Sequence, residues 1–158
     1  MPCALSLREV IASDLAVFFE NQLDPLANHM AAFTAKDPTD HAAFTAHWAR
    51  IMADPSVIIR TIVCDRRVAG SVLSYEEGGR PEVSYWIGRS WWNQGIATMA
   101  LKLFLEQVNP KRPMYARVAK DNPGSIRVLE KCGFRPVGEA MGYAHARGRE
   151  IPELLLEL

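Results

Sequence analysis

Between Val57 and Val108 the hydrophobic pattern changes period, and that change limits the folds open to this chain. Val57–Cys64 is rich in Val, Ile and Thr, Asp65-Arg66-Arg67 can turn tightly, and Val68–Tyr75 returns as a second strand, which is the signature of a β-hairpin. Gly78-Gly79 marks another turn, and Glu82–Gly88 reads as a third strand. From Gly95 to Val108 the spacing becomes helical, with Ile96, Met99, Ala100, Leu103 and Phe104 on one wide face. A meander that runs straight into an amphipathic helix has to bury that helix against a sheet.

The flanks extend the pattern. Ala4–Val10 reads as a first strand, and Ser13 can cap a helix carrying Leu15, Phe18 and Phe19. Leu23–Thr34 reads as a loop. Asp37-Pro38 opens a helix with Phe44, Trp48, Ile51 and Met52 on one stripe, ended by Asp54-Pro55. Met114–Val118 is a strand, Asn122–Cys132 a helix closed by Gly133, and Phe134–Gly138 and Glu150–Leu158 are final strands. The order β-α-α-β-β-β-α-β-α-β-β predicts an α/β (α+β) fold: a mixed, mostly antiparallel sheet of six or seven strands with helices on both faces.

A length of 158 residues predicts one domain over 1–158. Lys plus Arg equals Asp plus Glu at 18 each, so no bulk charge draws the chain to nucleic acid or an anionic membrane. Any anion must be held by a local site. No stretch has the length of a membrane-spanning helix and no signal peptide is evident. Cys3, Cys64 and Cys132 are odd in number and not spaced as a metal knuckle or redox pair, which predicts a reduced, cytoplasmic setting. His29, His41, His47 and His145 lack the spacing of a metal site.

The most informative loop is Gly88-Arg89-Ser90-Trp91-Trp92-Asn93-Gln94-Gly95-Ile96-Ala97-Thr98, at the start of the long helix. The first turn of a helix has free N–H groups, and these with the helix dipole favour a phosphate. Gly95 and Ala97 are small enough to leave the amides open, and Arg89 can add charge. The loop is neither a P-loop nor a Gly-x-Gly-x-x-Gly fingerprint. Read alone, it is equally a tight strand-to-helix turn. A second block follows, Asn122-Pro123-Gly124-Ser125-Ile126-Arg127-Val128-Leu129-Glu130-Lys131-Cys132-Gly133-Phe134.

Trp92-Asn93-Gln94-Gly95-Ile96-Ala97-Thr98 resembles the acetyl-CoA loop of GNAT N-acetyltransferases, Gln/Arg-x-x-Gly-x-Gly/Ala, and Tyr85-Trp86-Ile87-Gly88 resembles the strand before it. Trp92 at the first position is similar to the ribosomal-protein N-terminal acetyltransferase branch. Asn-x-x-Ser followed by Glu-Lys-x-Gly-Phe completes the likeness. The resemblance implies acetyl-CoA as co-substrate, no metal, and a cofactor site at Trp86, Ile87, Gly88, Arg89, Trp92, Asn93, Gln94, Gly95, Ile96, Ala97, Thr98, Asn122, Ser125 and Arg127. Asn122 is read as a pantetheine contact or a helix cap. Phe134 is read as core. The acceptor is a primary amine, on a small molecule or a protein N-terminus, gripped by Asn21–Phe33 and Met141–Arg149. Asp24 there reads as a cation contact or a turn former, and Arg147 and Arg149 as contacts to an acidic substrate or plain surface. The state is monomer or homodimer.

Transfer needs a base to free the amine and an acid for the leaving thiolate. Glu82 is the favoured base, on a strand where this family carries one, and shares a strand face with Ser84 and Trp86. The resemblance puts a Tyr acid at the position of Leu129, so Ser125 is the substitute, and Tyr85 is a second catalytic candidate. The vacancy at Leu129 leaves a competing expectation, a non-catalytic acetyl-CoA sensor on the same fold.

Overall fold

The hairpin forms where the turn chemistry puts it. In the computed structural model, which describes residues 3–158, Asp65 and Arg66 are both left-handed, at φ 50° and 69°, and join β2 (Ile58–Cys64) to β3 (Arg67–Glu77). β1 (Leu5–Arg8) pairs with the outer edge of β2, and β4 (Arg80–Ile87) pairs with β3. After β5 (Tyr115–Ala119) the chain returns through β6 (Arg135–Ala144) to β7 (Arg149–Glu157), which inserts between β5 and β6. The seven strands form one sheet in the order β1-β2-β3-β4-β5-β7-β6, with every neighbour antiparallel except β4 and β5.

Helices cover both faces. On one, α1 (Asp14–Gln22) and α3 (His41–Ala53) bring Phe18, Phe44 and Trp48 onto Ile59 of β2. On the other, α4 (Ile96–Leu103), the π-helical turn Phe104–Val108 that continues it, and α5 (Pro123–Lys131) bury Ile96, Leu101, Phe104 and Leu129 against Ile62, Val72, Val83 and Ile87. Leu101 and Phe104 are wholly buried, and each such side chain stabilises the fold by about 1.5–3 kcal/mol. Phe134 is in this core, as expected.

Four differences from the sequence reading have physical causes. The helix expected to open at Asp37-Pro38 starts at His41 instead, because Asp40 caps it by accepting from Ala43 N–H while the Asp37 carboxylate is taken by Thr39. The stretch Leu23–Thr34 contains a further helix, α2 (Pro25–Ala31). Asp24 caps it by accepting from Leu26 N–H, and Pro25 begins its first turn. Seven residues are too few to print a helical period. Ser13 makes no side-chain cap. Instead the buried Asp14 carboxylate accepts from Ile11 N–H, the Arg8 guanidinium and the Thr61 hydroxyl, tying β1, α1 and β2 together. Finally, Cys3 and Cys64 are joined by a disulfide. The expectation of wholly reduced cysteines rested on sequence spacing, whereas strand pairing brings these two together across a separation of 61 residues.

Candidate functional site: a split sheet and a bare amide loop

β4 and β5 part almost as soon as they meet. Glu82↔Tyr115 is their one paired position, so from Ser84 to Ile87 β4 has no strand on that side. Parallel strands that separate leave backbone groups without ladder partners. The wedge opens toward the end of β4 from which the chain enters the loop before α4.

That loop presents donors. A short 3-10 turn over Arg89–Trp91 follows Gly88. Among the described residues, the backbone N–H groups of Asn93, Gln94, Gly95, Ile96, Ala97 and Thr98 have no protein acceptor; the ladder resumes with Met99 N–H to Gly95 C=O. Asn93 and Gly95 are left-handed, at φ 61° and 75°. Six consecutive amides free at a helix start make a concave donor surface for a phosphate group. The reason for glycine at 95 differs from the sequence argument. A Cβ there would meet nothing within 4 Å, so the requirement is the left-handed backbone rather than clearance within the protein.

The other loop residues divide by role. Trp92 donates its indole N–H to Ile87 C=O and packs on the core, so it holds the loop to β4. Ile87 is core, and Gln94 bonds Ser90 C=O. Arg89 is more than half exposed and weakly paired with Asp24. Arg127 is exposed and has no ion-pair partner among the described residues.

α5 faces this loop across the wedge. Asn122 is its N-cap, accepting from Ser125 N–H, while its amide nitrogen donates to Met30 C=O. Both polar atoms of Asn122 thus have protein partners, and the residue fastens α5 to α2. One turn on, Ser125 Oγ lies 2.6 Å from the Tyr85 hydroxyl. This bond spans from α5 to the parted half of β4. Burial pushes the Tyr85 phenol up to about 12, with the Ser125 bond opposing it, so Tyr85 keeps its proton at neutral pH. Leu129 is buried in the core and offers no polar group.

On the opposite face of β4 lies a cavity of about 540 Å³. Ser84 and Trp86 of β4, Asn21 of α1, Asn28 of α2 and Phe44, His47 and Trp48 of α3 are in its wall, which Tyr85 also reaches. His47, exposed at the cavity wall, is held below the ordinary histidine value by partial burial and by the nearby Arg50 charge. The sequence left open that one of the four histidines faces the acceptor but could not single out His47, because which face of α3 meets the cavity depends on how three helices cross. Asp24 is spent as the α2 cap. Arg147 is also spoken for: it forms a double hydrogen bond to Asp121 and donates to His29 C=O. Arg149 is exposed.

Glu82 sits at the closed end of the wedge. It is 3% exposed and pairs with Arg117, which also reaches Glu153. It shares the Ser84 and Trp86 face but is not in the cavity wall. The structure therefore brings Tyr85, Ser125, Trp86 and the amide loop to the open wedge and leaves Glu82 one to two residue pairs below it. Among the described residues no group of three or more His, Cys, Asp or Glu side chains is placed to hold a metal, and no helix is long and apolar enough to cross a membrane.

A parted strand pair above a bare amide loop is the setting of an acetyltransferase domain, and the comparisons agree. A family model described as acetyltransferase (GNAT) domain matches residues 4–135. The chain therefore belongs to the GNAT acetyltransferase family. It is 31% identical over 87 residues to an uncharacterized N-acetyltransferase p20 of Bacillus licheniformis, a match over 52% of this chain that spans about half, 48%, of that relative's length. In fold it is similar to a spermidine N-acetyltransferase from Vibrio cholerae solved with CoA and spermine (TM-score 0.82, 16% identity, covering 98% of this chain and 94% of the other). It is equally similar to Mycobacterium smegmatis RimJ solved with CoA-disulfide (TM-score 0.82, 23% identity, 98% and 81%).

Proposed function

We propose that the chain is a single catalytic domain that transfers the acetyl group of acetyl-CoA directly to a primary amine. The observation that carries this reading is the row of unpartnered amides from Asn93 to Thr98, beside the wedge between β4 and β5. The amides would hold the diphosphate and the wedge the pantetheine arm, which brings the thioester to Tyr85 and Ser125 with the acceptor cavity behind. The fold likeness to RimJ solved with CoA-disulfide and the family match over residues 4–135 support this reading.

The chemistry then needs few groups. The neutral amine attacks the thioester carbonyl. An N–C bond forms, the C–S bond breaks and CoA thiolate leaves. Backbone N–H groups of the parted half of β4 would stabilise the oxyanion. Ser125, hydrogen-bonded to the protonated Tyr85, is the proton source for the thiolate. The amine's surplus proton passes to Glu82. Since Glu82 does not line the cavity, that transfer runs through water. Asn122 positions α5 rather than reacting.

The competing reading, an acetyl-CoA sensor, draws on the buried Leu129 where the family acid stands; the Tyr85–Ser125 pair supplies a proton source and weighs against it. A thiol-release assay over a panel of amines decides. Free CoA formed with any amine supports transfer, and acetyl-CoA binding without thiol release on every amine would leave only the sensor.

A further inference from the structure

Glu82 is buried at the point where β4 and β5 part, and among the described residues its carboxylate has a single cationic partner. Arg117 Nε donates to Glu82 Oε1 at 3.0 Å, and Arg117 Nη1 donates to Glu153 Oε1 at 3.2 Å. The three residues stand on β4, β5 and β7. Since β5 lies between the other two, the guanidinium spans the sheet at the closed end of the wedge. Glu82 and Glu153 are only 3% and 7% exposed, and a carboxylate this deep is costly without its cation. Both therefore hold the same guanidinium. Its fork is planar and rigid, so anchoring two of its corners fixes its plane.

The two oxygens of Glu82 are not alike. Oε1 is held by Arg117. Oε2 accepts no protein hydrogen bond among the described residues, yet it is not one of the sealed side-chain atoms that lack a partner, so it still touches solvent. Tyr75, opposite Glu82 on β3, does not compete for it. Burial first and the Glu82 charge second push that phenol up to about 12, and no hydrogen bond joins the two side chains. We infer that Arg117 is a positioning residue for the transfer: it clamps Glu82 Oε1 and turns Oε2 toward the water that delivers the amine's proton, while Glu153 fixes the far corner of the guanidinium. This rests on the proposed acetyl transfer with Glu82 as base. Strand pairing places the Glu82 backbone, against Tyr75 on one side and Tyr115 on the other, but leaves its side chain free to rotate. The Arg117 contact selects one rotamer. A mere brace between β4 and β7 would behave differently. Loosening a brace spreads the wedge and weakens acetyl-CoA binding, whereas loosening a clamp misaims the base and slows only the reaction.

The test reads free CoA with the amines of the panel as probes, spermidine and phenylalaninamide among them, and uses the fastest throughout. Arg117→Met keeps the stem and removes the cation. Its kcat should fall about tenfold or more, as displacing a reacting group does, with the KM for acetyl-CoA within about twofold of wild type. In a Glu82→Gln background the same substitution should cost less than about twofold further, because residues that act as one unit are not additive. Arg117→Lys keeps a cation without the fork. It should show the same split with a smaller loss, and it carries the test where circular dichroism shows that Arg117→Met has not folded. A kcat close to wild type in the folded variant overturns the inference. So does a raised KM for acetyl-CoA at unchanged kcat, which makes Arg117 a brace of the wedge. An equal loss in the Glu82→Gln background also overturns it, since Arg117 then acts apart from Glu82. Wild-type turnover by Glu82→Gln removes the base and this inference with it, and leaves acetyl transfer standing. No thiol from any amine overturns transfer and this inference together.

Discussion

The Tyr85 hydroxyl and Ser125 Oγ, 2.6 Å apart, link two elements that the sheet otherwise separates, the parted half of β4 and the first turn of α5. If this pair protonates the leaving thiolate, Tyr85→Phe and Ser125→Ala each lower kcat by about 10- to 100-fold, with a smaller change in KM for acetyl-CoA. Because Tyr85 is pushed up to about 12, it remains a proton donor across neutral and mildly alkaline pH, and the rate profile shows no Tyr85 limb below about pH 11. Burial penalises the ionised phenolate, so the fold keeps its full stability only while Tyr85 stays protonated. Below the ordinary tyrosine value of 10 the group is neutral in both states, and stability falls as pH rises from 10 toward 12.

Glu82→Gln tests the base. Transfer should slow by about 100-fold or more, while acetyl-CoA still raises the melting temperature. The substitution also weakens the Arg117 pair, so the unliganded melting temperature falls by a few degrees. Turnover close to wild type removes Glu82 from the reaction and leaves it a structural partner of Arg117.

Gly95 separates backbone from clearance. Gly95→Ala forces a side chain into the left-handed region at φ 75°, at a cost of about 1–2 kcal/mol, read by denaturant unfolding of the unliganded protein. Since the added methyl meets nothing within the protein, a larger loss would contradict this explanation. Acetyl-CoA affinity falls as well, because the methyl stands beside the free amides.

Asp14 predicts acid sensitivity. Burial alone would raise its carboxyl, but Arg8, Ile11 N–H and Thr61 together hold it below the ordinary aspartate value of 3.8. Its stabilisation is therefore present above that pH and is lost as pH falls through the lower native value. Asp14→Ala leaves Arg8 unpaired and should lower the unfolding free energy by about 3 kcal/mol at pH 7, with a flatter loss of stability below pH 4 than in the wild type.

Much of this layout was legible in the chain. The hairpin at Asp65-Arg66, the meander to Ile87 and the helix after Gly95 follow from local turn chemistry and hydrophobic period, which short segments carry by themselves. The amide loop was legible for the same reason. α2 was not, since seven residues without a repeating face look like a loop until Asp24 is seen to cap them. The pairs Tyr85–Ser125, Glu82–Arg117 and Cys3–Cys64 were also invisible, because each joins residues at least 35 positions apart and depends on how strands twist and part. The sequence placed Glu82 and Trp86 on one face of β4, but not the point along the strand where β5 departs, and that point separates a wall of the cavity from its closed end.

The direct measurement is the thermal melt of the purified protein with and without acetyl-CoA. Bare amides from Asn93 to Thr98 waiting for a diphosphate predict stabilisation of about 2.7 kcal/mol at a ligand concentration of 100 times Kd, hence a rise of several degrees, and a smaller rise with Gly95→Ala. An unchanged melting temperature at millimolar acetyl-CoA would contradict the site.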